Sequence, residues 1–145
     1  MPETIEQQIV DNLLGALRRC SVRGVEEGRI PVDPKQRELP WIFVGVSEED
    51  RIDGSVRHIQ VTLSCDVTVV FACADESEAL RLARKARAEV EVAVMQDSKR
   101  GRTNPITTVG THEIGENGEG LWAVSVPVSI VYQYVRGNPY DEGVD

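Results

Sequence analysis

The hydrophobic positions of this chain switch between two periods. Ile5, Ile9, Val10, Leu13, Leu14 and Leu17 recur at helical spacing and make one apolar stripe. Thr4 stands where an N-cap belongs, and Gln7 three residues on completes a capping box. Arg18 and Arg19 follow where cations suit a helix C-terminus. From Ile59 to Cys73 the period changes to two. Ile59, Val61, Leu63, Cys65, Val67, Val69, Phe71 and Cys73 fill the odd positions, with Gln60, Thr62, Ser64, Asp66 and Thr68 between them. That alternation predicts a strand with one face on a core and one face wet.

A second helix is predicted from about Asp75 to Gln96, capped by Asp75 or Ser77. Its inward stripe is Ala79, Leu82, Ala83, Ala86, Val90, Ala93 and Val94, and Arg81, Arg84, Lys85 and Arg87 stand on the other face. Period two returns at Trp122, Val124, Val126, Val128, Ile130, Tyr132 and Tyr134. Pro127 falls in the polar register of that run and predicts a bulge or an edge. Between the strong signals lie weaker ones. Residues 21–38, with Gly24, Gly28, Pro31 and Pro34 among charges, read as a long loop. Trp41 to Val44 reads as a short buried strand, Glu48 to Gly54 as an acidic turn or loop, and Lys99 to Pro105 as a basic loop. Ile106 to Ile114 reads as one strand, joined to the last by a hairpin turn over 116–120.

The order is therefore α-β-β-α-β-β. It predicts an α+β fold: a mostly antiparallel sheet of four strands or slightly more, with two helices packed on one face. Residues 1–135 form the domain and 136–145 a flexible C-terminal tail. A chain this long has a radius of gyration of roughly 15 Å. The run from Ile59 to Cys73 would extend about 50 Å if straight. It must bend or project, and a projecting strand exposes backbone edges that closed oligomers cover.

Composition narrows the function. The net charge of −8 opposes a dedicated grip on nucleic acid. No apolar run approaches the roughly 20 residues of a membrane span, and the acidic N-terminus is unlike a signal peptide, so a cytoplasmic origin is expected. Three cysteines leave at least one free thiol. Cys65 and Cys73 would stand roughly 26 Å apart on one strand, far beyond the disulfide reach of about 7 Å. His58 and His112 lie on different strands in no metal-ligand spacing. Gly115, Gly118 and Gly120 precede a strand instead of opening a helix, so they make a turn and not a phosphate loop. Asp66 takes the wet register. No catalytic, cofactor or metal residue is assigned, and the chain reads as a non-enzyme. The basic helix face reads either as a solvated face with i,i+4 pairs, such as Lys85–Glu89 and Arg87–Glu91, or as a cationic patch for an acidic patch on another copy.

Several features taken together resemble a known family. They are the helix with Ile9-Val10 and Leu13-Leu14, the Leu39-Pro40 strand with acids behind it, and the long alternating strand. The D-x-x-E-A-L helix of Asp75 to Leu80 follows, then the final strand Val128-Ser129-Ile130-Val131-Tyr132-Gln133-Tyr134 with Asn138-Pro139 beyond. Over most of residues 1–140 this order is similar to the tail terminator (minor tail, tail completion) proteins of long-tailed bacteriophages. The resemblance implies a structural virion protein of the tail and neck region, assembled in the host cytoplasm. Its members form a hexameric ring that stops tail-tube polymerisation and offers a head-docking surface. The implied partners are further copies of the chain, the tail tube protein and a head-completion or neck protein. DNA passes through the lumen unbound, which a negative wall favours, and no membrane takes part. Exposure and charge place the candidate assembly contacts on three loops: Glu48, Glu49, Asp50 and Arg51; Lys99, Arg100 and Arg102; and Glu116, Asn117 and Glu119. The other readings are a neck adaptor ring of the same connector, and a small cytoplasmic module holding a ligand between sheet and helices.

Overall fold

In the computed structural model, which describes residues 3–117 and 119–143, the two period-two runs become the longest pair of one sheet. β3 (His58–Ala72) and β6 (Leu121–Val135) pair antiparallel from His58↔Val135 to Ala72↔Leu121. Because Val61, Leu63, Cys65, Val67 and Val69 face Tyr132, Ile130, Val128, Val126 and Val124, their side chains share one face. Both helices cover that face: α1 (Ile5–Leu17) and α2 (Glu76–Met95) join these residues in a single hydrophobic cluster. The opposite face carries Ser64, Ser129, Asp66, Pro127, Thr68 and Ser125, with Thr68 and Ser125 hydrogen-bonded at 3.1 Å.

The fold is α+β with a mostly antiparallel sheet, as the alternation predicts, but among the described residues the sheet has six strands and the order is α-β-β-β-α-β-β-β. Both extra strands are short. β1 (Gly24–Glu27) lies inside the expected 21–38 loop and pairs parallel with β2 (Trp41–Asp53). Its return path, residues 28–40, matches the crossover of about a dozen residues that a parallel pair needs. That path holds a 3₁₀ turn at Pro34–Gln36 and ends in a cis Leu39–Pro40 bond. Arg37 ties it to Glu26 of β1 at 2.6 Å. Gly24 has a packing reason as well: the Trp41 ring lies where any Cβ would stand.

The expected Ile106–Ile114 strand is two, β4 (Ile106–Val109) and β5 (Glu113–Glu116), both on β6. Pro127 explains the break. Its carbonyl accepts from Gly110 N at 2.8 Å, so that side of Pro127 faces the gap. A residue's N–H and C=O point the same way in a strand, and proline has no N–H to offer there. The register slips by one residue across the gap, and the extra residue lies in 110–112 opposite Pro127; β6 itself stays in unbroken register with β3 through Pro127.

The largest correction concerns β2, which runs Trp41–Asp53 and so includes the expected acidic loop Glu48–Gly54 except its last residue. Glu48 pairs with Leu63 and Asp50 with Thr62, leaving Glu49 as a bulge. The bulge reverses the parity of the strand. Ile42, Val44 and Val46 lie on the helix face before it, and Arg51 and Asp53 after it.

Smaller differences concern the ends of elements. Thr4 does cap α1, its hydroxyl accepting from Gln7 N at 3.1 Å, but the Gln7 amide donates forward to Asp11 at 2.9 Å instead of closing a capping box. Asp75 caps α2 by accepting from Ser77 N at 3.1 Å. The segment after Val135 folds back through residue 143, unlike the expected loose tail: Pro139 accepts from Ile5 N, and Val135 N donates to Asp141. Residues 144 and 145 of that tail lie outside the described residues.

Candidate assembly interface

The three sets of candidate contact residues do not gather in one place. Glu48, Glu49, Asp50 and Arg51 line the far half of β2 and are exposed. On the outer edge of β2, β1 covers Trp41 to Val44 only, and among the described residues no strand pairs with that edge further on. Arg51 is held rather than free. Its guanidinium binds Glu48 at 2.7 Å, touches the Tyr134 hydroxyl and lies 5.6 Å from that ring's centre. The Arg51 hydrogen bond lowers the Glu48 pKa, and Glu48 in turn raises that of Arg51. Burial, the first cause, raises the pKa of the neighbouring Tyr132 phenol.

The basic loop divides. Lys99 is exposed, whereas Arg100 is only 1% exposed and is no surface contact at all. Arg100 takes a left-handed backbone, φ 53°, followed by Gly101 at φ 74°. The two turn the chain back over the end of α2, and the Arg100 Nη2 donates to the carbonyls of Val94 and Asp97. Val94 lies in the last turn of α2, where a helix leaves its carbonyls without partners, and the Asp97 carbonyl beyond it also accepts from Arg100 N at 3.1 Å. Nε and Nη1 meet no acceptor among the described residues, and burial lowers the Arg100 pKa. Arg102 is half-buried, 3.5 Å from Glu142, and also donates to Gln8. The returning C-terminal segment therefore bridges two regions, with Arg136 on Asp53 of β2 at 2.9 Å and Glu142 on Arg102.

Glu116, Asn117 and Glu119 sit at the β5–β6 turn, at the other end of β6 and about 45 Å away by strand rise. Asn117 shapes that turn: its Oδ1 accepts from Glu119 N at 2.9 Å and Leu121 N at 3.3 Å. Gly118, the middle of the expected turn, lies outside the described residues.

The face of α2 is more informative than any of these loops. Of the two expected i,i+4 pairs, Arg87–Glu91 forms at 2.6 Å. Glu89 instead accepts from Ser21 N and Oγ, at 3.2 and 2.8 Å, so Lys85 is left out. At 100° per residue, Arg81, Arg84, Lys85, Ala88, Val92 and Met95 fall within an arc of roughly 100° opposite the buried stripe. All six are exposed. The outward face is thus basic in its first half and apolar in its second, which counting charges alone does not reveal.

A cavity of about 370 Å³ opens beside α2, lined by Cys20, Pro40, Val69, Phe71, Leu82 and Lys85 among others. Burial pushes the Cys20 thiol up to about 11 and the Cys65 thiol up to about 12. All three cysteines are free. Among the described residues no group of three or more His, Cys, Asp and Glu is placed to hold a metal ion. Among those residues no helix is long and apolar enough to cross a membrane. No protein-family model matches the chain, and no curated protein matches it.

Proposed function

We propose that this chain is a structural, non-enzymatic subunit of a phage virion. It acts as a tail terminator whose ring closes the end of the tail tube, stops tube growth and presents the surface on which the head docks. The observation that carries the reading is the outer edge of β2. From Gly45 to Asp53 it is an extended, acidic strand edge that no strand among the described residues pairs with, continuous with the buried core sheet. Such an edge templates unwanted strand pairing unless something covers it, and a closed ring is one way to cover it. The order of elements and the terminal Tyr132-Gln133-Tyr134 strand support the same reading through the family resemblance. A neck adaptor ring shares these features and differs in binding the portal side.

Native mass measurement and negative-stain imaging test it, with the protein alone and mixed with headless tails and tailless heads. Rings at exposed tube ends are expected. A monomer that ignores tubes and heads overturns the reading, and rings found only on heads favour the adaptor. The cavity beside α2 favours a second reading, a ligand-binding module, since its size is within the ordinary range for small-molecule sites. A small apolar acid that raises the melting temperature of the monomer would support that instead.

A further inference from the structure

The free edge of β2 and the outward face of α2 are unlike surfaces on different sides of the sheet. α2 packs over β6 and β4, whereas β2 lies beyond β3. Each surface mixes charge and apolar area. The helix offers Arg81, Arg84 and Lys85, which have no acid partner among the described residues, then Val92 at 60% and Met95 at 42% exposure. The strand offers Glu49 and Asp50, then Ile52 at 47% and, at the hairpin tip, Val56 at 91% exposure.

The dimensions agree. Arg81 to Met95 covers about 21 Å of helix at 1.5 Å per residue, and the free part of β2 covers about 25 Å at 3.3 Å per residue. On the helix, the basic centre precedes the apolar centre by roughly 15 Å. On the strand, Ile52 follows the acidic centre by roughly 8 Å, and Val56 stands beyond it in the turn that joins β2 to β3. A helix laid parallel to β2 therefore sets its basic half beside the acids and points its apolar half towards Ile52 and the hairpin tip.

Resting on the ring reading above, the geometry points to a specific subunit contact: α2 of one copy covers the open β2 edge of the next. The contact is heterologous, so copies add head to tail until the ring closes. A strand edge covered by a helix is protected from further pairing. The footprint, about 21 by 10 Å, is well under the roughly 800 Å² per partner of a standard interface. A single contact is therefore weak and becomes stable when a ring or a tube end holds several together. Charge sets the register and suppresses wrong orientations.

The chain has three lysines, Lys35, Lys85 and Lys99, which makes zero-length amine–carboxyl cross-linking selective. A concentrated mixture of unlabelled and ¹⁵N-labelled protein is treated with a carbodiimide, with and without headless tails, and the joined peptides are read by mass spectrometry. Mixed-isotope peptides joining Lys85 to Glu49 or Asp50 are expected. Reversing one side, with Arg84→Glu and Lys85→Glu, or with Glu49→Lys and Asp50→Lys, should keep the wild-type melting temperature. Either reversal should lower oligomer yield about tenfold or more, because like charges then face each other. Both reversals in one chain should restore assembly. If copies join only through Lys35 or Lys99, or rings form equally well with one side reversed, this contact is wrong while the ring reading stands. If no intermolecular product or ring appears even at tube ends, the ring reading itself falls, and this contact with it.

Discussion

The two halves of β2 are one strand by hydrogen bonding and two different materials by environment. Ile42, Phe43 and Val44 are buried, with β1 on their outer edge and Trp41 lying against Gly24. Apart from the bulged Glu49, the residues from Glu48 to Asp53 keep the same ladder to β3 yet stand exposed, and among the described residues no strand covers their outer edge. The basic loop repeats the contrast within two residues, Lys99 outside and Arg100 inside. Continuity of a strand or a charge run therefore says little about what its residues do. Stability is concentrated where side chains leave water, and the residues left outside are available to a partner.

Mutation can break that contrast. The largest effect is expected at Arg100. Arg100→Glu places a carboxylate against the Val94 and Asp97 carbonyls in a buried site, and should cost about 3–5 kcal/mol or prevent folding. Lys99→Glu should stay within about 0.5 kcal/mol. Denaturant unfolding of the pair measures the difference, and equal effects would mean that Arg100 is not enclosed. Next comes Ile42→Ala, which empties a fully buried site and should cost about 2–5 kcal/mol. Ile52→Ala on the far half of the same strand should change stability by less than about 0.5 kcal/mol. Gly24→Ala follows, at about 1–3 kcal/mol, because its methyl group collides with the Trp41 indole. Quenching or shifting of Trp fluorescence in the folded variant would report the displaced ring.

Physical reasons separate what was legible in the sequence from what was not. β3, β6 and both helices are legible because each keeps one period against one core for many residues. β2 is not, because the Glu49 bulge reverses its parity just where the apolar residues end, so its far half reads as an acidic loop. β1 has one buried residue, Val25, between glycines and charges, and a parallel pairing leaves no local signal. Arg100 reads as surface because a Lys-Arg-Gly-Arg run usually is. Its burial depends on two successive left-handed residues, of which only Gly101 announces itself. The contact surface was half legible. The basic residues of α2 were visible, whereas the Ala88, Val92 and Met95 stripe emerges only when the outward face is laid out by angle.

The smallest effect tests whether the exposed half of β2 contributes any stability of its own. The Arg51 hydrogen bond holds the Glu48 carboxyl below its ordinary value of 4.5. A carboxyl with a lowered folded pKa adds stability above its unfolded pKa and loses it as pH falls through the folded value. The Glu48–Arg51 contribution should therefore be constant near neutrality and fade below about pH 4.5. Both side chains are more than a third exposed, so solvent screening keeps the contribution under about 1 kcal/mol. Comparing wild type with Glu48→Gln by urea unfolding at pH 7 and at pH 3 isolates it: a small gap at pH 7 should close at pH 3. High salt should shrink the gap at pH 7 as well. A gap that persisted at pH 3 would mean that Glu48 acts through packing instead of charge, and the far half of the strand would then belong with the near half, as part of the core.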